Sequence, residues 1–139
     1  MSANGDLRQT SIVKLRAVFR DVADISRNPS VCRINGYRAN LRTATQKSEY
    51  KYWFDVTPSL FEPPEAEFFI FVCGTPEVAY VFPRLNMQHL VRDASLGGDK
   101  QVPNFTVFTD SDLFEPAGRT DERQSIPGFR NAFFLIPSG

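Results

Sequence analysis

Near the start of the chain, apolar residues recur every three or four positions: Ile12, Leu15, Phe19 and Val22, with Val18 and Ile25 widening the stripe. This is the period of one helix face. The spacing predicts a helix ending at Asn28-Pro29, because the residue before a proline is pushed out of the α region. Thr10 or Ser11 offers a hydroxyl to cap its start, which leaves residues 1–6 as an expected flexible tail. The period then shortens to two. Val31 to Ile34 and Tyr37 to Thr43 flank Asn35-Gly36, a pair that tolerates the positive φ of a tight hairpin turn. In the second arm Tyr37, Ala39 and Leu41 alternate with Arg38, Asn40 and Arg42, so one face is cationic. Tyr50 to Val56 alternates as well, with Tyr50, Tyr52 and Phe54 against Lys51, Trp53 and Asp55.

Pro58 and Pro63-Pro64 bound a loop. Phe68 to Cys73 is apolar at every position, the signature of a strand covered on both faces. Val78 to Phe82 reads as its antiparallel neighbour, reached through Gly74-Thr75-Pro76. A short helix carrying Met87, Leu90, Val91 and Ala94 on one face follows Pro83. Residues 95–103 read as a loop, Asn104 to Phe108 as a strand, 109–126 as an acidic, turn-rich long loop or irregular excursion, and Phe129 to Ile136 as a short helix, with a strand as the alternative. Mostly antiparallel strands with helices set to the side define an α+β class, here a mixed, mainly antiparallel central sheet with flanking helices. A length of 139 residues fits one domain, 1–139.

Thirteen Phe, four Tyr and one Trp supply a core of large flat side chains. Cys32 and Cys73 sit within apolar runs and read as buried hydrophobes rather than as a disulfide or metal ligands. The opening MSANGDLRQ is polar and the longest apolar run is too short to cross a bilayer, so a cytoplasmic protein without membrane contact is the expectation. Net charge is zero, yet it is unevenly spread. Residues 1–53 carry ten Lys/Arg and four Asp/Glu, a balance of +6, and residues 54–139 carry six against twelve, a balance of −6. Such asymmetry points to a polyanion-facing half, or to two halves that attract each other.

Candidate chemistry is sparse. The single histidine, His89, lies on a predicted helix with no nucleophile motif around it. Two cysteines and one histidine do not make a zinc site. Gly97-Gly98 lacks the strand and helix that frame a phosphate loop. Asp110, Asp112 and Glu115 fall close together, and paired acids can hold a hard divalent cation, but acids also make ordinary turns. The positive strands are more informative. Arg33, Arg38 and Arg42, followed by Lys47 and Lys51, lie on successive strands and the turn between them. Placed side by side they form a phosphate-binding patch, with Tyr52 and Trp53 interleaved to stack on bases.

The runs Asn35 to Thr43, Tyr52-Trp53-Phe54, Phe68 to Gly74 and Tyr80 to Pro83 resemble the PD-(D/E)XK, or restriction-endonuclease-like, superfamily: a glycine turn, a basic strand, an aromatic strand, a buried Phe/Val strand and a strand ending in proline before a short helix. The resemblance covers about half the chain, from Ile34 to Leu90, and implies a restriction-endonuclease-like core. It places Asn40 and Arg42 where the family has its acid-x-lysine, and no residue matches the preceding family aspartate. An amide and a guanidinium cannot hold the divalent cation that the family's hydrolysis needs. The resemblance therefore implies a degenerate active site: a DNA-binding domain without catalytic residues or cofactor of its own, in a restriction or defence setting, with Arg33, Arg38, Arg42, Lys47 and Lys51 on the nucleic acid. The alternatives are a Mg-dependent nuclease with displaced acids (Asp55 with Asp110 and Asp112), and an interaction module whose acidic half docks a protein partner.

Overall fold

The computed structural model describes residues 3–27, 29–45, 49–61, 65–92, 94–97 and 101–137. Helix α1 spans Ala3–Val18 and buries Leu7, Ile12 and Leu15, with Phe19 just past its end. It starts upstream of the predicted cap and stops well before Pro29. Ser11 does not cap it; its hydroxyl donates to the carbonyl of Leu7 at 2.7 Å, one turn back. Val18 is exposed, so the apolar stripe is narrower than the spacing suggests. Residues Val22–Arg27, expected as the last helical turns, form strand β1 instead. Backbone pairing with the next strand prevails there over an apolar period that only coincidentally continues the helix.

Strands β2 (Ser30–Ile34) and β3 (Tyr37–Ala44) make the predicted hairpin. Asn35 and Gly36 adopt φ of 51° and 88°, the two successive positive values that a two-residue turn of this hand requires. Strand β4 is Lys51–Asp55, β5 is Phe68–Cys73 and β6 is Ala79–Pro83. Helix α2, Arg84–Val91, begins directly at Pro83, whose ring supplies an extended entry to the first turn. The remaining strands are β7 (Leu96–Gly97), β8 (Val102–Phe108), β9 (Leu113–Pro116) and β10 (Gln124–Ser125).

These strands form two sheets. Sheet A has the order β1-β2-β3-β5-β6, antiparallel except for the parallel pair β3–β5; sheet B has the order β10-β9-β8-β4, with β7 on β8. The class is α+β, two helices on mixed and mostly antiparallel sheets. Strand β5 is buried at all six positions because its two faces serve different cores. Phe69, Phe71 and Cys73 meet Phe54, Phe105, Val107 and Phe114 of sheet B together with Met87, Leu90 and Val91 of α2. Ile70 and Val72 meet Ile12, Leu15 and Phe19 and the C-terminal Ala132 and Ile136. The inter-sheet core is a chain of rings: Phe71 lies 5.0 Å from Phe54 and from Phe105, and Phe105 stacks on Phe114 at 4.4 Å.

Further expectations change, among them the loop at 95–103, which holds β7 and the start of β8. The acidic excursion at 109–126 is not one long loop; it contributes β9 and β10 to sheet B, buried through Phe114. The terminal segment is not an α-helix but two 3-10 turns, Pro127–Phe129 and Phe133–Leu135, separated by a bridge between Arg130 and Tyr80. Both cysteines are buried free thiols. Burial pushes Cys32 up to about 11 and Cys73 up to about 12, which removes them as nucleophiles near neutral pH. Among the described residues no helix is long and apolar enough to cross a membrane.

Candidate nucleic-acid interface

Alternation along β3 sends Ala39 and Leu41 to the core under α1 and Arg38, Asn40 and Arg42 to the opposite face. On β2, Val31 and Arg33 share that face, since Val31 stands opposite Asn40 and Arg33 opposite Arg38. Arg33, Arg38 and Arg42 thus lie on one side of sheet A, as the sequence suggests. They form two groups rather than one row. Four residues at about 3.4 Å each put Arg42 roughly 14 Å along the strand from Arg38, and Asn40, 1% exposed, lies between them.

Each arginine has a carboxylate. Arg33 pairs with Asp21 at 3.2 Å, Arg38 with Glu65 at 3.5 Å, and Arg42 with Asp55 at 2.7 Å. The first two pairs are exposed, and exposed pairs contribute about 0–1 kcal/mol. They orient the guanidinium groups without locking them.

Arg42 and Asn40 line a polar cleft of about 310 Å3 with Arg27, Pro29, Ser30, Asp55, Thr57 and Val102. It opens where the β1–β2 turn, the end of β3 and the edge of sheet B meet. A buried arginine from α1 holds this corner together. Arg8 donates to Asp24 at 2.6 Å, to the Ser26 carbonyl at 3.2 Å, to the Leu41 carbonyl at 3.3 Å and to the Ser30 hydroxyl. The Ser30 hydroxyl donates in turn to the Leu41 carbonyl, and the Asn40 amide donates to the Ser30 carbonyl at 2.6 Å. Asn40 Oδ1 and Arg8 Nε are buried with no protein partner. An orphaned buried group costs about 1–3 kcal/mol, so this corner carries polar groups that a plain packing site would not retain.

The other predicted residues lie elsewhere. Lys47 falls outside the described residues. Lys51 does not join the arginines: β4 pairs with β8 in sheet B, and Lys51 lies on the outer side of that sheet, 5.6 Å from the Phe108 ring. Tyr52 points into the inter-sheet core and is not free to stack on a base, whereas Trp53 is 43% exposed. The acids are dispersed. Asp55 pairs with Asn104 at the start of β8, whereas Asp110 and Asp112 lie beyond its far end. The Asp112 carboxylate accepts from the Tyr80 hydroxyl at 2.5 Å and from Arg130 at 2.9 Å, Glu115 holds Arg123 at 2.7 Å, and Asp110 accepts from Ser111. Burial first, and then the Asp112 carboxylate, raise the Tyr80 hydroxyl well above its ordinary value. Among the described residues no three His, Cys, Asp or Glu gather as a metal set. His89 is exposed on α2.

No family model, curated protein or solved structure matches this chain. Its chemistry therefore rests on the geometry. The cleft brings together two arginines, two hydroxyls, an amide and one carboxylate already engaged by Arg42, groups whose chemistry is compatible with an anion that has hydrogen-bonding oxygens. Arg27, Ser30 and Thr57 are not identifiable from sequence alone. Arg27 falls in a segment whose apolar spacing mimics a helix, and Thr57 reaches the cleft only because β4 crosses to a second sheet.

Proposed function

We propose that this chain is a nucleic-acid-binding domain, nuclease-like in plan, that grips phosphate without cutting it. The observation that supports the reading is the set of arginines at the rim of the side of sheet A that packs on sheet B. One group, Arg33 and Arg38, lies roughly 14 Å from a second, Arg42 with Arg27 at the polar cleft. Both groups carry guanidinium forks, which grip phosphate bidentately. The nuclease-like part of the reading rests on the PD-(D/E)XK resemblance of the sequence, which sets Asn40 and Arg42 at the acid-x-lysine positions; the aromatic strand β4 lies in the other sheet. Bidentate phosphate contacts are stronger than the exposed carboxylate pairs they displace. Among the described residues lining the cleft the acid is Asp55, and its carboxylate is bonded to Arg42 rather than open to a cation.

Fluorescence anisotropy with a labelled DNA duplex tests the reading. Affinity should fall steeply between about 50 and 200 mM salt. Arg38→Glu and Arg42→Glu should each weaken binding about tenfold or more and flatten the salt slope by about one. Absence of binding at low salt, or affinity unchanged by both reversals, ends it. Supercoiled plasmid should stay intact in Mg2+ and in Mn2+; nicking would favour the displaced-acid nuclease.

A further inference from the structure

Sheet B turns a second surface outward. The inward positions of its strands, Tyr52 and Phe54 on β4, Phe105 and Val107 on β8, and Phe114 on β9, belong to the inter-sheet core. The alternate positions Lys51, Trp53, Thr106, Phe108, Leu113 and Glu115 therefore share the outer face. Register sets them in two rungs: Lys51, Phe108 and Leu113 in one, Trp53, Thr106 and Glu115 in the next. Two cations approach the Phe108 ring, Lys51 at 5.6 Å and Arg123 at 4.8 Å from its centroid. Trp53 is 43% exposed beside them, and Tyr50, at the entry to β4, is 49% exposed with a φ of 61°. A large aromatic residue held at positive φ is costly and persists only where the surroundings impose it. The carbonyl of Tyr50 accepts from the backbone N–H of Thr109 at 3.0 Å, which fixes the residue against the far end of β8.

This face combines one exposed ring, Trp53, with cations that lie over the partly buried Phe108 ring beside it. Its strand carboxylate, Glu115, is bonded to Arg123, and Asp55 turns instead to Arg42 in the sheet A cleft. Rings accept the π-face of any base and ammonium or guanidinium groups take the phosphates, which is the sequence-tolerant chemistry of single-strand binding. A duplex offers its bases only at groove edges, so a flat aromatic platform suits unpaired bases.

We infer that the outer face of sheet B, centred on the exposed Trp53 with Lys51 and Arg123 held close by on Phe108, stacks the bases of single-stranded nucleic acid. The inference extends the proposed function to an unpaired strand but uses a different surface. Its test must therefore separate the two.

Trp53 is the single tryptophan of the chain, so its emission reports this face directly. Titration with a thymidine oligonucleotide at low salt should quench the emission saturably. Lys51→Glu and Arg123→Glu should each weaken that binding, whereas Arg42→Glu should leave it unchanged. With a labelled strand read by anisotropy, Trp53→Ala should cost about tenfold, near the worth of one stacked base, and Trp53→Phe should restore part of it. Strand binding that is unaffected by Trp53→Ala, an unquenched tryptophan at saturation, or a protein-concentration-dependent emission shift without oligonucleotide, which marks a second copy on this face, would each overturn the inference. Duplex binding lost in Arg42→Glu with no strand quenching would sink this inference alone. Strand quenching without any duplex binding would sink the sheet A reading alone.

Discussion

On the arginine face of sheet A, Arg33, Arg38 and Arg42 are each held by a carboxylate, whereas on the outer face of sheet B Lys51 leans on a phenyl ring. Arg42 and Lys51 are nine positions apart in sequence and both project from strands, yet their surroundings differ in kind. A carboxylate partner is exchangeable for a phosphate of the same charge and geometry, and its hold weakens with salt. A ring partner neutralises nothing, so the cation keeps its charge while its stem covers apolar surface. The first arrangement suits a face that trades one anion for another. The second suits a face where base and phosphate arrive together.

The largest effect expected is one that removes the support common to both. Phe71 lies between the sheets and touches Phe54, Phe82 and Phe105. Phe71→Ala should destabilise by about 3–5 kcal/mol, the cost of a cavity in a closely packed core. Urea unfolding followed both by far-ultraviolet circular dichroism and by Trp53 emission should show one shifted, coincident transition. Two separated transitions would mean that the sheets stand independently and that the two faces cannot act as parts of one binding unit.

Asn40→Asp comes next, and it probes the sheet A corner alone. The change removes the amide that donates to the Ser30 carbonyl and sets a carboxylate against that acceptor, at a cost of about 1–3 kcal/mol near neutral pH. Only the protonated carboxyl can donate to Ser30 again, which raises it above its unfolded value against the pull of Arg42 and Arg27 in the same cleft. Its favourable contribution is full below the unfolded value and is lost as pH rises through the folded one. Thermal unfolding should therefore show a deficit relative to the parent that narrows as pH falls. Mg2+ or Mn2+ should not restore it, because the neighbouring Asp55 is bonded to Arg42. Recovery on adding either ion would reveal a latent cation site and break the contrast between an anion-trading corner and a metal centre.

How much of this was legible in the sequence depends on whether the deciding contact was local. The Asn35-Gly36 hairpin, the twice-covered strand at Phe68 to Cys73 and the α2 face of Met87, Leu90 and Val91 are set by spacing and turn chemistry, and they occur where the sequence places them. Val22 to Arg27 misleads because Val22 and Ile25 fall on helical spacing by coincidence, while pairing with β2 settles their backbone. The same-face placement of Arg33, Arg38 and Arg42 follows from period two. The separation of Lys51 from them does not, because which sheet β4 joins depends on Phe54 packing against Phe105 and Phe71, a contact between segments far apart in sequence. Equally, no local pattern announces that Asp21, Glu65 and Asp55 would each find an arginine.

The smallest effects test the contrast most directly, through two double-mutant cycles read by urea unfolding. Arg42 and Asp55 are each partly buried and in direct contact at 2.7 Å, so their coupling should be about 1 kcal/mol, at the upper end for partly exposed pairs. Lys51 and Phe108, with the ammonium 5.6 Å from the ring centroid on an exposed face, should couple by about 0.5 kcal/mol. Salt separates them further. Raising ionic strength to about 1 M shortens the screening length to about 3 Å and should erode the ion-pair coupling, while the ring coupling, held by close contact and apolar cover, changes less. If both couplings fell together, the Lys51 environment would be an ordinary solvated charge. The physical distinction between the two faces would then rest on Trp53 and Tyr50 alone.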